Sequence, residues 1–406
     1  MDMHYSDTDL EVTVESLGGL GDGIASYNGK PLFVAKSCVG DRLRVRIVHE
    51  NHDGYQGIIT EVLSGGEHRR EAPCVYFSEC GGCSLQQLQE EHYRAFKTRM
   101  LASAVARSGY DMPADILFLP TGTRRRVEFK VGGGTLAFHA PRSHRPVAVE
   151  HCLILTPALQ ALIAPLNEVV GDWSGLFSVG LTQADVGIDM MLTFRDSIPA
   201  LALEAVCAQL GIARVCVRTR EGKAKILHQA GPVEMLLGDK RVALPPEAFL
   251  QATAEGQAAL TQAVLEGVMD ATLVVDLFCG IGTYSFPLSA RAKVHAVEGD
   301  GAMVAAAKAA GLSAEQRDLF KSPLTAKELA RFDAAVINPP RAGAKAQCEQ
   351  LVASGISRVV MVSCNPASFA RDAALFNKNG FRLTRALGID QFVFSQHLEI
   401  VGIFHR

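Results

Sequence analysis

A chain of 406 residues with 48% hydrophobic and 20% charged residues is built for two or three folded domains, which excludes a disordered or low-complexity protein. Its net charge of −3 excludes a globally basic nucleic-acid binder, so any such surface has to be a local patch. No apolar run approaches the roughly 18–20 residues that cross a bilayer, and the opening MDMHYSDTDLE is acidic and polar, unlike a secretory leader, so the expectation is a cytoplasmic protein with no membrane partner.

Five segments from Leu10 to about Gly65, LEVTVE, GIASY, PLFVA, RLRVRIV and GYQGIITEVL, read as short strands separated by Gly, Asn and Asp turns. That density of strands predicts a small barrel of the kind that often binds oligonucleotides. Arg42, Arg44 and Arg46 alternate with Leu43, Val45 and Ile47, which makes one strand face basic, whether for RNA or as an ordinary solvated face. The segments GLGDGIA, NGKPLFV and GDRLRVRI resemble the TRAM domain, an RNA-binding barrel attached to several RNA-modifying enzymes. SGGEHRREAP (Ser64–Pro73) reads as a linker.

Beyond it, Cys74, Cys80 and Cys83 form C-x5-C-x2-C, with Cys152 further along in VEHCLIL. A reducing compartment disfavours disulfides. Three thiolates from one short loop and a fourth from afar match a [4Fe-4S] cluster or a tetrahedral zinc, and spacing does not separate the two. Ser84 with Gln87 predicts a capping box, followed by a helix carrying Leu88, Phe96, Met100 and Leu101. From about Pro113 to Leu244 the pattern is strand-rich, with RRRVEFKV, TLAFHA, ARVCVRTR and KILHQ, and reads as an α+β middle domain. Arg124, Arg125, Arg126 and Lys130, with Arg142, His144 and Arg145 nearby in sequence, suggest an RNA-contact surface there.

From about Pro245, short apolar strands alternate with helical spacers: ATLVVDLF, KVHAVEG, FDAAVINPP, RVVMVSCNP and LEIVGIF. That alternation predicts an α/β doubly wound parallel sheet. The expected domains are residues 1–66, 67–245 and 246–406. In VVDLFCGIGTYSFPL, Gly280 and Gly282 open a turn before a helix, and the next strand ends at Glu298, placed to take a ribose diol. A dinucleotide fingerprint wants a third glycine where Ser285 stands. The turn therefore suits a nucleoside without a pyrophosphate, such as S-adenosylmethionine. In VVMVSCNPASFARD a hydrophobic run stops at Cys364, and Pro366 blocks its continuation.

AFLQAT, DLFCGIGTYS, AVEG, NPPRAG, VSCNPASFARD and the closing FSQHLEIVGIF, together with the cysteine spacing, resemble the RNA uracil-5 methyltransferase family over essentially the whole chain. The barrel plus cluster is more similar to its ribosomal-RNA branch than to its transfer-RNA branch. The resemblance implies a Rossmann-like S-adenosylmethionine methyltransferase domain and a [4Fe-4S] cluster on Cys74, Cys80, Cys83 and Cys152, zinc being second. It further implies RNA, 23S rRNA first, as partner of a monomer. By matching motif it makes Cys364 the nucleophile and Glu399 the proton acceptor, and it carries donor contacts over to Gln251, Phe278, Glu298 and Asp318. Asn338 departs from the family's usual Asp, and Thr283 from a frequent Asn. An amide at 338 matches the N3–H donor and O4 acceptor of neutral uracil, where a carboxylate offers acceptors only. That argues against cytosine, which shares the thiol-addition chemistry. A non-catalytic RNA-binding factor would be expected to have lost Cys364 or Glu399.

Overall fold

The computed structural model describes residues 9–198 and 204–406, so most of the acidic opening stretch lies outside the described residues. The chain divides into two compact units. One comprises residues 9–100 with 138–147 and 394–396, and the other comprises the remaining described residues.

The first unit is built on strands β1 (Leu10–Thr13), β2 (Ser16–Leu17), β3 (Gly23–Tyr27), β4 (Lys30–Val34), β5 (Arg42–Asn51) and β6 (Gly54–Ser64), ordered β1-β5-β6-β4-β3-β2. The five expected strands are present, and β2 is an additional short one. Along β5 the alternation holds: Leu43 and Val45 are fully buried with Leu32 and Val34. The arginines on the other face meet carboxylates of the same sheet region. Arg44 pairs with Glu61 and Glu11, and Arg46 with Asp9 at 2.9 Å.

Two expectations fail here for local reasons. Ser64–Pro73 is not a loose linker: the Asp41 carboxylate accepts the Gly66 N–H at 2.8 Å and lies 3.4 Å from the Arg69 guanidinium. Ser84 does not cap a helix. Its N–H donates to the Phe394 carbonyl, Leu85–Leu88 close a turn, and helix α1 (Glu90–Arg107) starts later, with the Tyr93 N–H donating to the Gln89 carbonyl.

After α1, β7 (Asp115–Phe118) is followed by β8 (Arg126–Gly132), β9 (Thr135–His139), β10 (Pro146–Ala148), β11 (Leu176–Gln183), β12 (Ile188–Phe194), β13 (Arg214–Thr219), β14 (Lys225–Gln229) and the hairpin β15 (Glu234–Leu237) and β16 (Lys240–Ala243). Short helices α2 (Pro157–Gln160), α3 (Ile163–Val169) and α4 (Glu204–Leu210) interrupt them. One sheet is ordered β10-β9-β8-β11-β12-β13-β14; β8, β9, β13 and β14 carry the four middle strand motifs, and β11 and β12 are strands that those motifs do not include.

The remainder is the α/β sheet. Its strands are β17 (Leu273–Leu277), β18 (Lys293–Glu298), β19 (Ala314–Gln316), β20 (Ala334–Ile337), β21 (Arg358–Ser363), β22 (Arg382–Asp390) and β23 (Glu399–His405). Its helices are α5 (Ala254–Gly267), α6 (Ser285–Ser289), α7 (Gly301–Ala309), α8 (Ala326–Leu329), α9 (Lys345–Ala353) and α10 (Pro366–Lys378). The strand order is β19-β18-β17-β20-β21-β23-β22-β7. Strands β17 to β21 are parallel, and their central residues Val274, Val336, Val360 and Val362 are buried under Leu260 and Val264 of α5. β23 is antiparallel to both β21 and β22, with Ser363 opposite Ile400 and Glu399 opposite Ile389. This register decides the site. The start of β23 and the end of β22 lie at the same sheet edge as the carboxyl ends of the parallel strands.

Candidate active site

At that edge β17 ends in a turn whose backbone is left-handed at Phe278 (φ 62°), Gly280 (φ 59°) and Gly282 (φ 93°). A side chain at Gly280 would meet only the Met303 sulfur, at 3.9 Å, so the turn leaves open space at that point. Glu298 holds the turn from the end of β18. One carboxylate oxygen accepts the Gly280 N–H at 3.0 Å, and the other accepts the N–H groups of Gly299 and Asp300 at 2.7 and 2.9 Å. Beneath the turn Asp276 is wholly buried and accepts the Ser285 hydroxyl at 2.5 Å through Oδ2, while its Oδ1 has no hydrogen-bond partner. Burial pushes this carboxyl up to about 7, opposed by the Ser285 hydroxyl.

The half-buried Phe278 ring lies 5.3 Å from that of Phe320, an exposed aromatic carried by the turn after Asp318. Asp318 fixes that turn by accepting the N–H groups of Phe320 and Lys321 at 3.0 and 3.2 Å. Sequence reasoning passes over Phe320. Its only sequence signal is an apolar ring beside Asp318 in a polar loop. Thr283 is half-buried in the glycine turn.

Gln251 reaches the edge from the segment before α5. The Arg125 guanidinium donates to its carbonyl at 3.1 Å, and Arg126 donates to the carbonyl of Leu250. Two members of the predicted arginine cluster thus anchor the Gln251 segment. The Gln251 side chain is buried, with Nε2 donating to the Tyr284 hydroxyl at 3.4 Å and Oε1 accepting from Gln391 at 2.8 Å.

Cys364 follows the last residue of β21. Asn365 caps α10, accepting the Ala367 N–H at 3.0 Å, and Pro366 takes the first helical turn, where a missing N–H costs nothing. The Asn365 amide also donates to the Arg341 carbonyl at 3.1 Å, tying the Cys364 loop to the NPPR loop. Asn338 begins that second loop, and its backbone N–H donates to Leu277, next to the donor turn. Cys364 is half-buried. Burial and then the Glu399 carboxylate push its thiol up, with the Arg341 guanidinium opposing.

Glu399 opens β23 and is only 3% exposed. The Gln391 amide donates to it at 3.0 Å. Burial pushes its carboxyl up to about 7, opposed by that hydrogen bond, which places it where a general base titrates near neutral pH. Gln251, Phe278, Thr283, Glu298, Asn338, Cys364 and Glu399 therefore gather at the same sheet edge, with Asp318 on an exposed turn just beyond it.

The cysteine loop is different. Cys74, Cys80 and Cys83 are half-buried in the first unit, and Cys152 belongs to the second. Among the described residues no three or more His, Cys, Asp or Glu side chains come together as metal ligands. Where the spacing predicts a cluster, the loop instead surrounds a lysine. The Lys36 ammonium donates to the carbonyls of Phe77, Ser78 and Cys80, and burial pushes it down. The structure gives no support to the [4Fe-4S] or zinc expectation.

An α/β sheet with a glycine turn after one strand, an acidic end on the next and open space at Gly280 describes a nucleoside-binding site, and its residues suit S-adenosylmethionine. A family model described as tRNA (Uracil-5-)-methyltransferase matches residues 314–406. An uncharacterized RNA methyltransferase of Agrobacterium fabrum is 33% identical, covering 97% of this chain and 99% of its own. The 23S rRNA (uracil(1939)-C(5))-methyltransferase of Pseudomonas savastanoi is 30% identical over 97% of this chain and 93% of its own. The crystal structure of the Pyrococcus abyssi tRNA (uracil-54, C5)-methyltransferase, in complex with S-adenosyl-L-homocysteine, shares the fold with a TM-score of 0.78 over 97% of this chain and 99% of that one, at 18% identity. The chain belongs to the RNA uracil-C5 methyltransferase family. No helix among the described residues is long and apolar enough to cross a membrane.

Proposed function

We propose that this protein methylates C5 of one uridine in 23S rRNA, with Cys364 as nucleophile and Glu399 as proton acceptor. The observation that carries this reading is the pairing of a strand-end thiol with a buried, amide-held carboxylate at one sheet edge. S-Adenosylmethionine, when bound, supplies an electrophilic methyl group. Gln251, Phe278, Thr283, Glu298, Asp318 and Asn338 are the residues proposed to hold it and the base.

Uracil C5 is a poor nucleophile. The Cys364 thiol, pushed up by burial and Glu399, first gives its proton to solvent. The thiolate then adds to C6, making an S–C6 bond and moving the ring electrons onto C5 and O4, so that C5 can take the methyl group as its bond to the donor sulfur breaks and S-adenosylhomocysteine leaves. Glu399 then removes the C5 proton, the C5–C6 double bond re-forms, and the S–C6 bond breaks to release 5-methyluridine and the free thiolate. Asn338 is proposed to read the uracil N3–H and O4 edge, and the base to leave its stack to reach Cys364.

The ribosomal substrate is favoured by the Pseudomonas savastanoi relative, whose name specifies 23S rRNA. Transfer RNA is the second reading, favoured by the description of the family model. RNA is proposed to contact a basic cavity of about 1120 Å³ in the first unit, where Lys36, Arg69, Arg70, Arg142 and Arg145 outnumber Glu61, Glu71 and Glu79. A second cavity, of about 330 Å³ in the second unit, balances Arg124, Arg126 and Arg218 against Glu128, Asp189 and Glu247. The enzyme is proposed to act as a monomer in the cytoplasm. The test is incubation of purified protein and labelled donor with unmodified 23S rRNA or tRNA, followed by nucleoside analysis. 5-Methyluridine in the 23S sample alone is the expected result. Label in tRNA alone moves the assignment to the second reading, and label in neither overturns both.

A further inference from the structure

The buried amide of Gln391 is not accounted for by the chemistry above. It follows the last residue of β22, is 2% exposed, and its nitrogen donates twice, at 2.8 Å to Gln251 Oε1 and at 3.0 Å to Glu399 Oε2. A carboxamide nitrogen carries two hydrogens, so both are used. Its oxygen is buried and accepts no hydrogen bond, although an unsatisfied buried acceptor is costly. The side chain is therefore oriented by its two acceptors. One belongs to the residue proposed to hold the methyl donor, and the other is the proposed base. Beyond Gln251 the chain continues to the Tyr284 hydroxyl at the donor turn.

We propose that Gln391 is a positioning residue that links donor binding to the charge on Glu399, holding Gln251 most firmly when the carboxylate is ionised. This rests on the reading of Glu399 as the base and Gln251 as a donor contact. A hydrogen bond to an ionised carboxylate is shorter and about twice as strong as one to its neutral form. When Glu399 takes a proton, its hold on the Gln391 amide weakens, and with it the orientation of Gln251. The Gln251 amide, still bonded to Gln391 and Tyr284, is then held less firmly, and its contact with the donor weakens. By reciprocity a bound donor, in fixing Gln251, favours the ionised base. The site is thereby armed for proton removal only when the methyl source is in place.

The other titratable groups around Glu399 are the Cys364 thiol from the end of β21, the Tyr284 phenol beside the donor turn, Asp390 next to Gln391, and His397 on the segment leading into β23. Asp276, under the donor turn, also titrates near neutral pH. All of them stay in place in a Gln391→Met variant. Met is unbranched and of similar length, so the cavity stays filled while both hydrogen bonds are lost.

The experiment measures calorimetric binding of S-adenosylhomocysteine at pH 6 and pH 8.5 to the full-length wild type, Gln391→Met and Glu399→Gln. The wild type is expected to bind roughly fivefold more tightly at the higher pH than at the lower. In Gln391→Met that difference shrinks to what Asp276 alone contributes. Glu399→Gln, with no charge to lose, shows the same reduced pH dependence. In addition, the pH midpoint for 5-methyluridine release rises in Gln391→Met by roughly one unit, since Glu399 loses its one hydrogen bond. An equal pH dependence of binding in wild type and Gln391→Met overturns the linkage, even where Glu399→Gln stalls release and so upholds Glu399 as the base. If Glu399→Gln releases product normally, the reading of the base fails instead.

Discussion

Two buried carboxyls at the sheet edge, Asp276 beneath the glycine turn and Glu399 at the start of β23, are each pushed up to about 7, and they are wired in opposite ways. Asp276 is closed on itself. One oxygen takes the Ser285 hydroxyl nine residues on, the other takes nothing, and the pair brackets the glycine turn from β17 and α6. Glu399 is wired outward, through the Gln391 amide to Gln251 and Tyr284. Similar burial gives similar proton affinity, so burial alone does not identify the base. What separates them is the thiol each one faces. Glu399 is among the groups that push up the half-buried Cys364, whereas Asp276 does the same to Cys279, a buried thiol of the glycine turn.

The largest expected effect comes from removing the thiol. Cys364→Ala is expected to fold and to bind S-adenosylhomocysteine, while methylation falls by a factor on the order of 10⁴ or more. A modest fall, measured by single-turnover labelling, would place the nucleophile elsewhere. The next is a stability effect that compares the two carboxyls. Each has a folded-state affinity for its proton above the ordinary value, so each stabilises the fold fully at low pH and loses that contribution as pH rises toward about 7. Asp276→Asn removes this dependence. Relative to the wild type it should gain stability between pH 4 and pH 8, by an amount on the order of 4 kcal/mol. Glu399→Gln should gain in the same direction, its carboxyl being pushed up by the same cause. Chemical denaturation at both pH values reads the gains, and no gain in either variant would show that burial is not the governing cause. The smallest effect is at the helix cap. Asn365→Ala should lower stability by about 1 kcal/mol and also loosen the Cys364 loop from Arg341, so that the methylation rate falls with little change in donor affinity.

Cys364 and Glu399 were legible because each interrupts an apolar strand, one by ending it and one by opening it with a charge. The donor turn was legible because Gly280 and Gly282 stand between a strand and a helix. Gln391 was not. Its role depends on antiparallel β22 and β23 bringing Ile389 opposite Glu399, a register that no local pattern encodes. Phe320 escaped because only its position against Phe278 distinguishes it from any exposed ring. The capping box at Ser84 misled because the Phe394 carbonyl, distant in sequence, captures the N–H groups that would have begun the helix. At the cysteine loop the spacing predicts a ligand set, whereas the loop carbonyls of Phe77, Ser78 and Cys80 accept from Lys36, nearly forty residues earlier in the chain.

The pairing of Cys364 with Glu399 is tested most directly by denaturing electrophoresis of Glu399→Gln after incubation with substrate RNA and S-adenosylmethionine. The expected result is a stable covalent protein–RNA band that disappears in the Cys364→Ala, Glu399→Gln double variant. Release of 5-methyluridine should meanwhile fall by roughly 10²–10⁴. A Glu399→Gln protein that binds S-adenosylhomocysteine and RNA yet accumulates no adduct, or releases product at the wild-type rate, would contradict it.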